Sequence, residues 1–198
     1  MKKVDLMKKI LRIIMLILFV FIVIYGVLTI LPNKKTKKES EEIDKAGSYV
    51  LYKRDTELYK EVFTNLKEVL DNEVDYEKYA EYMSELFIID LYTLNNKDNK
   101  NDVGGVQFLY DSIKDNFILN ASGTMYKYIS ELKEKPEVKS IELKNIEENK
   151  YKINDKEYNG YKVSLNWEYV EDYNYDKSCV IYLINENDKL YIVEMNHE

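Results

Sequence analysis

The sequence predicts an α+β fold in which two to three helices pack on a curved four-stranded antiparallel sheet, preceded by an N-terminal transmembrane helix. The nineteen residues from Ile13 to Leu31 carry no charge, and a helix of that length spans the ~30 Å hydrocarbon core of a bilayer. Apolar residues then recur at three- and four-residue steps as far as Leu94, which is typical of amphipathic helices. After Pro136 they alternate with polar residues, as in strands with one buried face.

These patterns divide the chain into a cytoplasmic basic tail (1–12), the membrane span (13–31), a charged linker (32–48) and an extracytoplasmic α+β domain (49–198). The span is too long for a cleaved signal peptide, and it has no small-residue cleavage site after it. Five basic residues precede it and four follow it. Long domains cross membranes largely regardless of such a balance, so we expect a single-pass cell-membrane protein with its C-terminal domain outside.

A lysine cluster follows the predicted span, and it consists of Lys34, Lys35, Lys37 and Lys38. Two interpretations fit it. The cluster fixes the end of the span as a stop signal, or it contacts anionic headgroups at the membrane surface, where each lysine contributes about 1 kcal/mol.

Two helices are predicted at the start of the domain. The first runs from Tyr49 to Leu70, with apolar residues on one side. Asp75 is placed to cap a second helix, from about Tyr76 through Leu94. The stretch from 86 to 92 in this helix is apolar nearly all round, so we expect it to be the most buried helix of the domain. Short helices are predicted between 106 and 129, before Pro136.

Four strands are predicted at 138–146, 162–170, 178–184 and 190–195. Alternation is clearest in the second predicted strand, where Val163, Leu165, Trp167 and Tyr169 are spaced two apart. Asn185 to Asp188 forms a turn-rich cluster between the last two strands, and a further hairpin is predicted around Asn154 and Asp155. An order in which the helices come first and an antiparallel meander follows is typical of α+β folds.

Charge and cysteine content exclude several function classes. Residues 39–198 carry 20 basic and 35 acidic side chains, a net charge of −15, which disfavours binding to nucleic acid. Cys179 is the single cysteine of the chain, so no intramolecular disulfide can form. The abundance of Lys, Asn, Ile, Glu and Tyr is typical of an AT-rich bacterial genome and fits a protein of the bacterial cell envelope.

No catalytic or metal-binding pattern is visible. His197 is the single histidine and lies beside the C-terminus, where chains fray. Cys179 lies within a predicted strand and is interpreted as a small buried hydrophobe, because no histidine is placed to pair with it. Asp98 and Asp102 have the spacing of EF-hand ligands, but Val103 stands where that loop needs glycine. We therefore expect a protein that is not an enzyme and that holds no cofactor or metal.

Aromatic residues suggest one ligand pocket. Trp167, Tyr169, Tyr182 and Tyr191 are predicted near the concave face of the sheet, where they would surround an apolar or glycan ligand or simply form the core. An open cavity of several hundred Å³ on the concave side would favour a ligand, and a filled core would favour an interaction module.

The order of elements over residues 13–195 resembles the nuclear-transport-factor-2-like, or cystatin-like, cone. Among membrane-tethered versions it is similar to the inner-membrane scaffold subunit of type IV secretion and conjugation systems and to its Gram-positive relatives. The resemblance rests on element order and carries over no functional residue. It implies a non-catalytic component that self-associates and docks other envelope proteins.

Two hypotheses for function follow from the sequence. In the first, the chain is a membrane-anchored, non-catalytic interaction or scaffold protein, part of a conjugation or secretion complex, whose partners are the membrane and either other envelope proteins or a second copy. Confinement to the membrane raises the effective concentration of such partners. In the second, it is an envelope sensor or carrier that binds a small apolar or glycan ligand in the cone. A hydrolase of wall polymers has little support, because no carboxylate pair stands out.

Overall fold

The computed structural model describes residues 41–197, which run from a small hairpin through three helices to a four-stranded antiparallel sheet. The elements are β1 (Glu42–Ala46), β2 (Tyr49–Tyr52), α1 (Glu57–Asp71), α2 (Tyr76–Tyr92), a 3-10 turn (Val106–Phe108), α3 (Asp111–Gly123), β3 (Val138–Ile153), β4 (Lys156–Tyr169), β5 (Ser178–Glu186) and β6 (Lys189–His197). The predicted α+β class is confirmed, with three helices and the expected sheet order β3-β4-β5-β6.

The predicted membrane span and the lysine cluster lie outside the described residues. None of the helices within 41–197 is both long enough and apolar enough to cross a bilayer.

The first hairpin corrects the prediction for the start of the domain. The helix predicted from Tyr49 begins at Glu57 instead, and Tyr49–Tyr52 forms strand β2. It pairs with β1, which lies within the stretch assigned to the linker, across a turn where Gly47 has a φ of 58°. Tyr49 and Leu51 face the core, whereas Val50 and Tyr52, which alternate with them, are half-buried. This is the period of a strand.

Helix α2 lies at the centre of the domain. Its N-cap is Asp75, as predicted, whose carboxylate accepts hydrogen bonds from the backbone N–H groups of Glu77 and Lys78. Such a cap satisfies donors that the first helical turn leaves unpaired. Most of its residues from Tyr79 to Tyr92 are buried, whereas α3 buries none of its residues fully. The prediction that this helix is the most buried is confirmed.

The sheet is a meander with long first strands. Strand β3 pairs with β4 from Val138 opposite Tyr169 to Ile153 opposite Lys156, so both strands extend beyond their predicted ends. Asn154 and Asp155 form the turn between them with φ angles of 48° and 65°, and Asn187 and Asp188 form the β5–β6 turn with 55° and 62°. Two successive positive φ angles match the twist of hairpin strands. Both predicted turns are confirmed.

The two faces of the sheet differ in what covers them. Val163, Leu165, Cys179 and Ile181 are fully buried, and they belong to the main core together with α1 and α2. On the opposite face, Tyr158 of β4 with Tyr182 and Ile184 of β5 belongs to a second, smaller cluster. Cys179 is therefore a buried core residue.

Candidate functional site

Five tyrosines form a cluster, here named the tyrosine face, on the side of the sheet opposite Val163 and Leu165. Pairing in the sheet places them together, because Tyr151 is opposite Tyr158 and Ile184 is opposite Tyr191. Of the two remaining tyrosines, one lies on β5 and the other comes from the segment before α3. The members of the tyrosine face are Tyr110, Tyr151, Tyr158, Tyr182 and Tyr191.

The rings of the tyrosine face contact one another, edge to face at Tyr110 and tilted at Tyr151. Tyr110 has its ring centroid 5.5 Å from that of Tyr191 and 6.5 Å from that of Tyr158. On the other side, the centroids of Tyr151 and Tyr182 are 6.0 Å apart. These rings cover Ile184, which has no exposed surface. The arrangement gives a broad aromatic surface on a rigid sheet, since edge-to-face packing is favourable at such distances.

Carboxylates accept hydrogen bonds from the hydroxyl groups of this face. The Tyr158 hydroxyl lies 3.1 Å from a Glu186 carboxylate oxygen, and the Tyr151 hydroxyl donates to Glu194. Partial burial, with the neighbouring Glu194, raises the pKa of Tyr151 to about 12. The Tyr151 hydroxyl is therefore a neutral donor at physiological pH, and its acceptor Glu194 lies at the margin of the face.

Lysines of the chain already lie over two of these rings. The Lys156 ammonium is 4.3 Å from the centroid of Tyr158 and the Lys189 ammonium is 4.7 Å from that of Tyr191. Such cation–π contacts contribute about 0.5–1 kcal/mol at exposed sites. They show that the tyrosine face has the geometry to receive basic groups.

A cavity of about 540 Å³ opens at the opposite end of the sheet, where β4 and β6 finish. It lies between the segment that follows α3 and the β4–β5 loop. Its walls are mainly aromatic and apolar, and they are made by Tyr92, Leu94, Thr124, Met125, Tyr128, Leu132, Pro136, Tyr169, Asn174, Tyr175, Asp176 and His197.

Two of the lining residues carry the polar chemistry of the cavity. The His197 Nδ1 atom lies 3.3 Å from the Asp176 Oδ2 atom. The Tyr169 hydroxyl is 3.2 Å from the Asp176 backbone oxygen and holds the loop against β4. Tyr175 has its ring 6.2 Å from that of Tyr169, edge to face. His197, expected to be a fraying terminal residue, is the last residue of β6 and belongs to this site.

The four residues predicted to form one pocket are divided between three places. Trp167 is buried in the core, where its ring stacks on Tyr92 at 4.9 Å. Tyr169 lines the cavity. Tyr182 and Tyr191 belong to the tyrosine face. The structure therefore does not bring the four around a common ligand, because adjacent strands place them on two faces of the sheet.

Sequence reasoning did not single out several residues of these surfaces. Tyr151 and Tyr158 are placed symmetrically about Asn154 and Asp155, so the predicted hairpin already implied that they pair directly. The lining of the cavity comes from four separate stretches of the chain, and no local pattern reports that they meet.

Charged residues of the loop between α2 and α3, and Asp90 at the end of α2, have partners of their own. The Arg54 guanidinium donates two hydrogen bonds to the Asp102 carboxylate, at 2.6 and 2.8 Å. Asp90 accepts from the Lys97 ammonium and, at 2.6 Å, from the Gly105 N–H group. These bonds fix the loop to α2 and β2. Among residues 41–197, no group of three or more His, Cys, Asp or Glu side chains is arranged to hold a metal ion.

The chain matches no family model, no curated protein and no solved structure. The class that the fold defines is an α+β domain with an antiparallel meander. The tyrosine face and the cavity are the two candidate functional surfaces of this domain.

Proposed function

We propose that the chain is a membrane-anchored, non-catalytic interaction module of the bacterial cell envelope that binds a protein partner through the tyrosine face. The tyrosine face is the observation that carries the proposal. Its rings are partly exposed, contact one another and keep their hydroxyl groups at the margin. Tyrosine is enriched in protein interfaces because it joins a large apolar ring to a polar end.

The filled interior supports an interaction module over a ligand held in the cone. Phe63, Met83, Leu86 and Phe87 are fully buried between the helices and the sheet. Close packing of this kind leaves no room for a small molecule among these four residues.

Charge favours a basic partner over a second copy. Residues 41–197 hold 20 basic and 33 acidic side chains, a net charge of −13. Two such domains repel each other over about one Debye length, roughly 8 Å at physiological salt. A partner with exposed arginine or lysine would be attracted to this charge and would place its side chains over the rings, as Lys156 and Lys189 already do.

The predicted anchor, residues 13–31, completes the proposal. A partner in the same membrane meets the domain at a high effective concentration, so an interface of modest affinity is sufficient for assembly. The resemblance in element order to the scaffold subunit of type IV secretion and conjugation systems is consistent with this role. We propose docking of envelope proteins, in a conjugation or secretion complex, as the setting.

Photo-crosslinking in native membranes tests the proposal. We expect full-length protein with p-benzoylphenylalanine at Tyr182 or at Tyr191 to give a crosslinked product that the same probe at Tyr52, on the separate β1–β2 sheet, does not give. The captured protein should have a basic surface, and its binding to the purified chain should weaken as salt rises. A crosslinked product made of two copies of this chain would contradict the basic partner and would indicate self-association through the tyrosine face. Capture at Tyr52 alone would contradict the proposal.

A second candidate function is that of an envelope sensor or carrier of a small ligand. The specific observation in its favour is the 540 Å³ cavity at the end of the sheet, which falls within the ~300–1,000 Å³ typical of small-molecule sites.

A further inference from the structure

The lining of the cavity at the end of the sheet offers a ligand a carboxylate but no lysine or arginine side chain. No lysine or arginine is among its lining residues, and Asp176 supplies the carboxylate. The Asp176 side chain is 62% exposed, so a ligand can reach it. Lys177, the next residue, bonds instead to Asp172 at 2.9 Å. An anionic ligand would therefore meet a carboxylate and no opposing ammonium or guanidinium group.

Aromatic rings make up much of the wall beside that carboxylate. Tyr169 and Tyr175 are edge to face at 6.2 Å, and both lie in the lining with Tyr92 and Tyr128. The face of an aromatic ring attracts cations, and clusters of rings bind quaternary ammonium groups in this way. The Lys127 ammonium, 4.9 Å from the ring centroid of Tyr128, is an example of that attraction within this chain.

Four apolar side chains line another part of the cavity, which also includes the polar residues Thr124 and Asn174. Leu94, Met125, Leu132 and Pro136 offer neither hydrogen-bonding side chains nor charge, so this part of the site favours hydrocarbon. The combination excludes a simple inorganic ion and favours a molecule that has both a positive charge and an apolar body.

We propose that this cavity binds a small organic cation with an apolar body, of the quaternary ammonium class, with Asp176 balancing its charge and the rings of Tyr169 and Tyr175 packing against its alkyl groups. This inference rests on the second candidate function and is independent of the tyrosine face. His197, which shares the Asp176 carboxylate at 3.3 Å, is displaced from it or accommodated beside the ligand.

Trp167 offers a direct measurement of binding. It is the single tryptophan of the chain and stacks on Tyr92, which lines the cavity. Choline and its neutral isostere 3,3-dimethylbutan-1-ol form a matched pair of probes that absorb no near-ultraviolet light. We would titrate each into full-length protein in phosphatidylglycerol nanodiscs, which carry no choline headgroups, and follow the emission of Trp167.

We expect a saturable change with choline and a weaker one with the neutral alcohol. Asp176→Asn should weaken choline binding about three- to fivefold, since an exposed ion pair contributes up to ~1 kcal/mol, without changing the affinity for the alcohol. Glu171→Gln, in the same loop but outside the lining, leaves the Asp172–Lys177 ion pair intact, so it is the matched control and should bind choline as the native chain does. Thermal unfolding followed by circular dichroism checks that both variants fold.

Two results would overturn the inference in distinguishable ways. If the alcohol binds as tightly as choline, or if the Asp176→Asn and Glu171→Gln variants behave alike, the cavity binds a ligand but does not select a cation. If neither probe produces a saturable change, the second candidate function fails together with the inference.

Discussion

The hydroxyl oxygens of Tyr49 and Tyr79 lie 2.7 Å apart in the core, and the Tyr49 hydroxyl is also 3.2 Å from the Leu190 carbonyl oxygen. This contact joins β2, α2 and β6 at one buried point. Burial, more than any neighbouring group, raises the pKa of both tyrosines, so the hydroxyl groups stay protonated. The β1–β2 hairpin is therefore fastened to the centre of the domain.

Tyr49→Phe is expected to lower the free energy of unfolding by about 1–3 kcal/mol, because it leaves buried polar groups without a partner. Urea denaturation measures the change. Tyr52→Phe on the same strand is the control, since the structure gives the Tyr52 hydroxyl no comparable buried contact, and it should stay within about 0.5 kcal/mol of the native chain. Equal effects of the two substitutions would contradict this account of the hairpin.

Gly104→Ala is expected to destabilise the domain by about 2–4 kcal/mol, since overpacking against backbone forces the chain to move. A Cβ atom at Gly104 would lie 2.0 Å from the Asp90 backbone oxygen. Gly123→Ala is the matched control, because a Cβ there meets nothing within 4 Å. In thermal unfolding, the melting temperature of the Gly104 variant should fall and that of the Gly123 variant should not. A fall for the Gly123 variant alone would show that the close approach of Gly104 to Asp90 does not restrict the side chain at position 104.

Glu85 should make stability depend on pH. It is 8% exposed on α2, and burial, with the nearby Glu81, raises its pKa to about 8 from 4.5. Between those two values the folded chain keeps a proton that the unfolded chain has lost, so stability falls as pH rises through this window. Below about pH 4.5 the group is protonated in both states and has no effect.

Glu85→Gln removes this penalty. Relative to the native chain, we expect the variant to gain about 1 kcal/mol or more of stability between roughly pH 5 and pH 7.5. Asp55, whose pKa burial raises to about 6, is present in both proteins and therefore cancels in the difference. Glu61→Gln on the exposed side of α1 is the control. A constant difference across the pH range would mean that Glu85 is ionised in the folded chain.

Asp155→Gly should stabilise the β3–β4 hairpin. Asp155 has a φ of 65° after Asn154 at 48°, and glycine adopts such angles without steric cost. The ion pair with Lys152 is exposed at both ends and contributes little. We expect a gain of about 0.5–1 kcal/mol in urea unfolding, and a loss for Asp155→Ala. A gain for both would show that removing the charge, and not the turn geometry, is responsible.

Much of the fold could be predicted because local patterns and final packing agree. The cap at Asp75, the apolar stretch of α2 and the turn residues between strands each report local chemistry that the structure keeps. The β1–β2 hairpin was missed because Leu51 lies seven residues before Leu58 and eleven before Val62, so it fits a helical spacing as well as a strand. Only the turn at Gly47 separates the two interpretations.

The candidate sites were harder to predict because they depend on which residues face which side. The alternation from Val163 to Tyr169 correctly marks a buried face. Tyr182 and Tyr191 were assigned to that face, but strand pairing places them on the other one, since Tyr182 is opposite Lys162 and not Val163. A shift of one residue in register moves a side chain across the sheet, and sequence alone does not set that register.

Both borders of the sheet are protected against strand addition. At β6, the segment before α3 makes a parallel bridge between Leu109 and Ile192, and the Tyr110 N–H group donates to the Ile192 carbonyl at 2.9 Å. At β3, which pairs only with β4 within residues 41–197, bulges and charged side chains such as Lys144 and Glu148 discourage another strand. Growth into fibrils by strand addition is therefore disfavoured at both borders of the described sheet.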